Sequence, residues 1–176
     1  MEQKVSILNN RSVIKISGND SLLFLNNIIS NDLEKINDKE ILTTTLLSPQ
    51  GKILFDFFIF ENDGFYFIEC NKSQLDNLIN KLKIYSLRLI VTFEKTDLNV
   101  IVSNYYFQEK ITRKDIRFQD NDIYRHFIRP KKDFKNLCLN EWYDHLRFIN
   151  LCPEGELEIP ANKLYPFEID MVHNNG

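Results

Sequence analysis

ILTTTLLSPQGKILFDFFIF, residues 41–60, decides the fold. Two β-rich runs, Ile41–Leu47 and Lys52–Phe60, flank Ser48-Pro49-Gln50-Gly51. Proline at the second position and glycine at the fourth favour a type I turn. A link this short cannot carry a crossover, so the two runs must pair antiparallel. A second turn signal, Glu61-Asn62-Asp63-Gly64, leads into the strand FYFIE and extends the hairpin to a three-stranded meander.

The pattern continues on both sides of the meander. Upstream, Ser12–Ser17 (SVIKIS) sets Ile14 and Ile16 on one strand face and ends at Gly18. Asn19-Asp20-Ser21 offers capping oxygens to a helix carrying Leu22, Leu25, Ile28 and Ile29. Downstream, LDNLINKLKIY spaces Leu75, Leu78, Ile79 and Leu82 for an amphipathic helix, and LRLIVTFE and LNVIVS read as strands. The first hundred residues thus read β-α-β-β-β-α-β-β, an α+β unit with helices on one face of an antiparallel sheet. After Ser103 the periodicity fades. RHFIRPKKDFKN (125–136) reads as a solvated basic loop, Asn140–Asn150 as a helix stopped before Pro153, and the end as loop with one strand at LYPFEIDM. The second half is expected to be another α+β unit, with the division near residue 100.

Composition narrows the function classes. The 176 residues are 43% hydrophobic and 12% aromatic, with formal net charge −3, which describes a globular chain with no general pull towards nucleic acid or anionic membrane. MEQKVSILNN lacks the apolar core of a signal peptide and no run approaches membrane-span length, so a cytoplasmic protein is expected. Cys70, Cys138 and Cys152 and the three histidines are scattered, without metal-ligand spacing. No phosphate loop, HExxH or nucleophile elbow occurs.

A few polar residues stand at strand and helix ends beside aromatic strands. Asp56 lies inside the apolar run KILFDFFIF, where a carboxylate needs a partner unless the strand face is solvated. Asn71 closes FYFIECN before a helix, as a ligand contact or as a cap. Glu168 stands in LYPFEIDM, as a ligand contact or as a surface residue near a turn.

Three segments together carry a family resemblance. IISNDLEKINDKEILTTTLLSPQGKILFDFFIF (28–60) resembles the folate-binding YgfZ/GcvT-like family, whose usual run is TND, a strand and LLxPQGKxLFD. LKIYSLRLIV (82–91) is similar to its YxLRxxV, and EWYDHLRFINLCPEGELEIPANKLYPFEIDM (141–171) to its YDxxRIxxGxPEG…PxExNMD segment. The resemblance implies two related subdomains, about 1–100 and 101–176, around a central pore that holds tetrahydrofolate. It places Asp56, Asn71 and Glu168 on positions that make polar contacts to the ligand. A carboxylate suits a pterin edge because it accepts two N–H bonds at once. Arg88, from YxLR, is set to meet the anionic glutamate tail or to make a surface ion pair.

The chain also departs from the pattern. Leu151 replaces a glycine, and Phe55-Asp56 supplies one acid where the aminomethyltransferase branch has a pair. In the YgfZ branch a KGCxxGQE motif and a C-terminal barrel follow the PxE segment. The sequence ends at Gly176 before either, which reads as the N-terminal portion of a longer protein, with self-association into a homodimer expected at the cut end. The leading function is a tetrahydrofolate-binding accessory protein for iron–sulfur cluster assembly or repair, partnered by assembly proteins, with indirect effects on tRNA modification. The alternative enzyme is a tetrahydrofolate-dependent aminomethyltransferase of the glycine cleavage system. A third reading, RNA binding through Arg125–Lys135, competes with a plain solvated loop.

Overall fold

A computed structural model describes residues 2–108, 111–129 and 141–169. Among the described residues, nine strands form one mixed sheet: β1 (Val5–Ile7), β2 (Arg11–Ser17), β3 (Glu40–Leu47), β4 (Ile53–Asn62), β5 (Phe65–Asn71), β6 (Thr92–Lys95), β7 (Asn99–Ser103), β8 (Ile111–Asp115) and β9 (Tyr124–Ile128). Three α-helices accompany them: α1 (Ser21–Ile28), α2 (Leu75–Tyr85) and α3 (Glu141–Ile149). The spatial order is β1-β7-β9-β8-β3-β4-β5-β2-β6. Every pairing is antiparallel except β3 with β8, where Glu40 faces Lys114 and Ile41 faces Asp115.

The β3–β4–β5 meander forms as the turn chemistry requires. Gly51 N–H donates to Ser48 O (2.9 Å) and Ser48 N–H to Lys52 O (2.8 Å), closing the first turn. Strand β4 is apolar on both faces because both are covered, and its side chains alternate between two cores. Phe57 and Ile59 join Leu25, Leu78 and Leu82 under α1 and α2. Phe58 and Phe60 point the other way and pack with Val13, Phe67, Val102, Phe127 and Tyr143. The second core lies inside a half-barrel made by the curled sheet.

Several sequence expectations are corrected. RHFI is no solvated loop: Tyr124–Ile128 is β9, hydrogen-bonded between β7 and β8, with Arg125 and His126 buried. Residues 130–136 of that basic run lie outside the described residues, as do Cys138, Asn140, His173 and the segment 170–176. LYPFEI is not a strand, because Pro166–Ile169 is a 3-10 turn. Its proline lacks a ladder donor, and Glu168 Oε2 accepts Tyr165 N–H (2.8 Å) to close the turn instead. Of LRLIVTFE only Thr92–Lys95 pairs, on β2, while LNVIVS leaves that neighbourhood to pair with β1 and β9. Asp20, the N-cap of α1, makes no side-chain cap bond; its Oδ2 accepts Ile90 N–H (2.7 Å).

Candidate functional site

Charged side chains from five strands enter the half-barrel. Strand alternation dictates this: Arg11 shares a face with Val13, Asp56 with Phe58, Glu69 with Phe67, and Arg125 with Phe127, all core residues of the interior. Asp115, at the end of β8, completes the set. Arg117 from the following turn, Tyr143 from α3 and Glu154 from the turn after it close over them.

An isolated charge in this setting would be costly, and each has partners. Arg11 Nε donates to Glu69 Oε1 (2.9 Å), and Arg125 Nη1 donates to the same oxygen (2.5 Å). Arg125 Nε donates to Asp115 Oδ2 (3.0 Å), while its Nη2 reaches Tyr143 Oη and Glu154 Oε1. Arg117 chelates Asp115 through Nε (2.9 Å) and Nη2 (2.6 Å) and also donates to Glu154 Oε1 (2.6 Å). Tyr143 Oη donates to Glu154 as well (2.5 Å). Three guanidiniums thus balance three carboxylates. The Phe58 ring stacks beneath them, 3.9 Å from the Arg125 guanidinium carbon and 4.4 Å from that of Arg117.

Electrostatics follow from burial and pairing. Burial works against charge on Glu154, but Arg125, Arg117 and Arg11 overcome it and hold the carboxyl far below its ordinary range. Asp115 is likewise held low by Arg117 and Arg125 against the cost of its burial. Asp56 stands apart: burial pushes its carboxyl up, offset only in part by Arg11 and the Gly155 N–H. Burial also raises the Cys70 thiol to about 12, so it is inert.

The structure does not bring the four expected ligand residues together. Asp56 is buried in the interior, its Oδ2 accepting Gly155 N–H (2.8 Å). Asn71 serves as the N-cap of the 3-10 turn Lys72–Gln74, with Oδ1 accepting from Ser73 N–H (3.0 Å) and Ser73 Oγ (2.9 Å). Glu168 is exposed and lines an open groove with Asp144, Arg147, Phe148, Leu151 and Ile169. Arg88 is exposed in the turn after α2 with φ 76°, beside Leu89 on the helix-covered face. Asp56 points to the opposite face. Glu154, unremarked in the sequence except as part of CPEG, is the acid that enters the charge cluster.

Space tests whether tetrahydrofolate fits. The small cavity beside Asp56, walled by Thr43, Phe58, Arg117, Cys152, Pro153 and Ile169, holds about 20 Å³, room for one water. Ligand pockets run to roughly 300–1,000 Å³, so the interior does not admit a pterin ring. The groove at Glu168 encloses about 690 Å³ and has the necessary size.

No family model matches the chain. It is 32% identical over 103 residues to an iron–sulfur cluster assembly factor, the IBA57 homolog of Coccidioides immitis, covering 50% of this chain and 24% of that protein. It is 26% identical over 81 residues to an aminomethyltransferase of Caldanaerobacter subterraneus, covering 43% of this chain and 22% of that one. Among solved structures, the glycine cleavage system aminomethyltransferase T of Bartonella henselae superposes with TM-score 0.62 at 10% identity, over 82% of this chain and 45% of that one. The fold is GcvT-like. The matched regions span about a quarter of the curated relatives and under half of the solved one.

Proposed function

We propose that this chain acts in iron–sulfur cluster assembly or repair, as an accessory factor beside the assembly proteins, with effects on tRNA modification arising indirectly through cluster-dependent enzymes. The observation that carries the accessory reading is the interior of the half-barrel. Its guanidiniums and carboxylates mostly engage one another, and although Asp56 keeps one oxygen free, the space beside it is about 20 Å³, too small to set a substrate against that acid. The likeness to curated assembly factors supports the same reading. The two subdomains, about 1–100 and 101–176, belong to this proposal.

A reduced folate is its small-molecule partner, and the groove at Glu168 is where this chain has room for one. Three carboxylates, Asp144, Glu158 and Glu168, face a single guanidinium, Arg147, which Glu158 already engages at 2.7 and 2.9 Å. That charge suits the N–H-rich pterin edge and turns the anionic tail towards solvent. Phe148 and Leu151, 78% and 75% exposed, offer the ring an apolar wall. Tetrahydrofolate bound there supplies a one-carbon acceptor.

The second reading, aminomethyltransferase, is favoured by the likeness to the Caldanaerobacter enzyme and opposed by the single acid at Asp56. Expression of this chain in a fungal strain lacking its IBA57-type factor separates them. Restored activity of [4Fe–4S]-dependent enzymes, with no methylene-tetrahydrofolate formed from an aminomethyl-carrying protein in vitro, is expected. Methylene transfer without restoration would select the enzyme.

A further inference from the structure

We infer that Asp56 and Asn71 clamp the turn Pro153–Gly155 as a plug in the half-barrel, and that a folate bound by this chain touches neither. Three consecutive residues of the turn region are fixed at different points. Glu154 drives into Arg117, Arg125 and Tyr143. Gly155 donates its N–H to Asp56 Oδ2 at 2.8 Å. Glu156 Oε2 lies 2.9 Å from Ser73 Oγ, whose single proton is shared between it and Asn71 Oδ1, also 2.9 Å away.

The seat favours glycine. Gly155 has φ 77°, and a Cβ there would stand 2.6 Å from Asn71 Nδ2. Asn71 thus gives its oxygen to the Ser73 cap, and its amide packs where a side chain on residue 155 would stand. The remaining oxygen of Asp56, Oδ1, and Thr43 Oγ1 are buried without a protein partner and both belong to the wall of the 20 Å³ cavity. Two polar atoms facing a space of that size suit one bridging water and nothing larger. The raised pKa of Asp56, pushed up by burial, agrees with a carboxyl serving one N–H in a dry site.

Cys152 and Pro153 wall both this cavity and the outer groove, so the plug divides them. Asp56 is a positioning residue here. The inference uses the proposed function only to locate the folate; the clamp stands on geometry.

Cys152, 3% exposed, reports on the plug. In the full chain, maleimide labelling mapped by mass spectrometry is read at Cys152 with buried Cys70 as control. Calorimetry with 5-formyltetrahydrofolate is run in parallel. Asp56→Ala is expected to speed Cys152 labelling about tenfold, the effect of one lost buried hydrogen bond on a local opening. Asp56→Asn, whose carbonyl still accepts Gly155 N–H, restores most of the protection. The exposed variant Ser73→Ala gives a smaller acceleration and serves if Asp56→Ala does not fold. Folate affinity stays within about twofold of wild type in Asp56→Asn. Unchanged Cys152 labelling in Asp56→Ala, or in Ser73→Ala where the former does not fold, overturns the clamp. So does a tenfold affinity loss in Asp56→Asn with Cys152 still protected. No folate binding by wild type removes the ligand from the proposed function, while the Cys152 arm still decides the clamp.

Discussion

Replacing Arg125 by methionine removes the guanidinium that joins the most acids in the interior. Arg125 is fully buried and serves Glu69, Asp115, Glu154 and Tyr143. Methionine fills much of the volume but leaves three buried carboxylates with only Arg11 and Arg117 to share. Breaking a buried charge set by deleting one partner typically costs about 3–5 kcal/mol. Against a domain stability of about 5–15 kcal/mol that is a large fraction. With a urea slope near 2 kcal/mol/M, the midpoint should fall by about 2 M. Urea titration followed by tyrosine fluorescence measures it. Arg125→Lys should recover less than half, since an ammonium cannot reach partners spread around a planar fork. A midpoint shift below about 0.5 M for methionine would mean the acids find solvent or protons cheaply, and the interior is not a dry charge joint.

Other expectations concern separate parts of the chain. His126 is wedged between Ser103 Oγ (2.7 Å) and Thr112 Oγ1 (2.8 Å), and burial lowers its pKa to about 3. The unfolded chain therefore binds a proton near pH 6.5 that the folded one refuses. Stability is complete above that pH and falls by up to about 1.4 kcal/mol per unit towards pH 3. Asp115 and Glu154, held low in the fold, add to the loss below about pH 4.5. Thermal melts between pH 5 and 7 should show the slope, and His126→Gln should flatten it. Gly18→Ala should destabilise by about 1–3 kcal/mol in calorimetry, because φ is 121° and the new Cβ would meet Ile90 O at 2.1 Å. Phe58→Ala should cost about 3–5 kcal/mol and Phe58→Leu clearly less, the remainder reporting the guanidinium stacking.

The meander and both early helices were legible because their signals are local: a turn of fixed chemistry and apolar residues at period 2 or 3.6. Strand β9 was hidden by its own charges. RHFI sets two basic residues before two apolar ones, next to RPKKDFK, which reads as solvated surface unless its acids are known. Those acids, Glu69, Asp115 and Glu154, lie in three other elements, and one sequence carries no record of that meeting. Asp56 was recognised as a carboxylate needing a partner; that the partner is the backbone of Gly155, about a hundred residues on, was out of reach of local reasoning. Glu154 had a faint signal, an acid between proline and glycine after a helix. Arg88 stands out by its motif alone, and it lies exposed in a left-handed turn after α2.

The short parallel pairing of β3 with β8 has a kinetic consequence. Among the described residues, two residue pairs, Glu40 with Lys114 and Ile41 with Asp115, stitch β1-β7-β9-β8 to β3-β4-β5-β2-β6. The partners are some seventy residues apart, and closing such a loop costs entropy that two pairs cannot repay by themselves. The meander, with its four-residue turns, forms without waiting for that closure. The later strands join when Arg125 sheds water and meets Glu69 across the seam, so desolvation and loop closure fall in the same step. Refolding should therefore show the seam as its slow event. Mutations at Glu69 or Arg125 should slow folding, and mutations at Phe57 or Ile59, in the meander already formed, should also slow folding with little effect on unfolding.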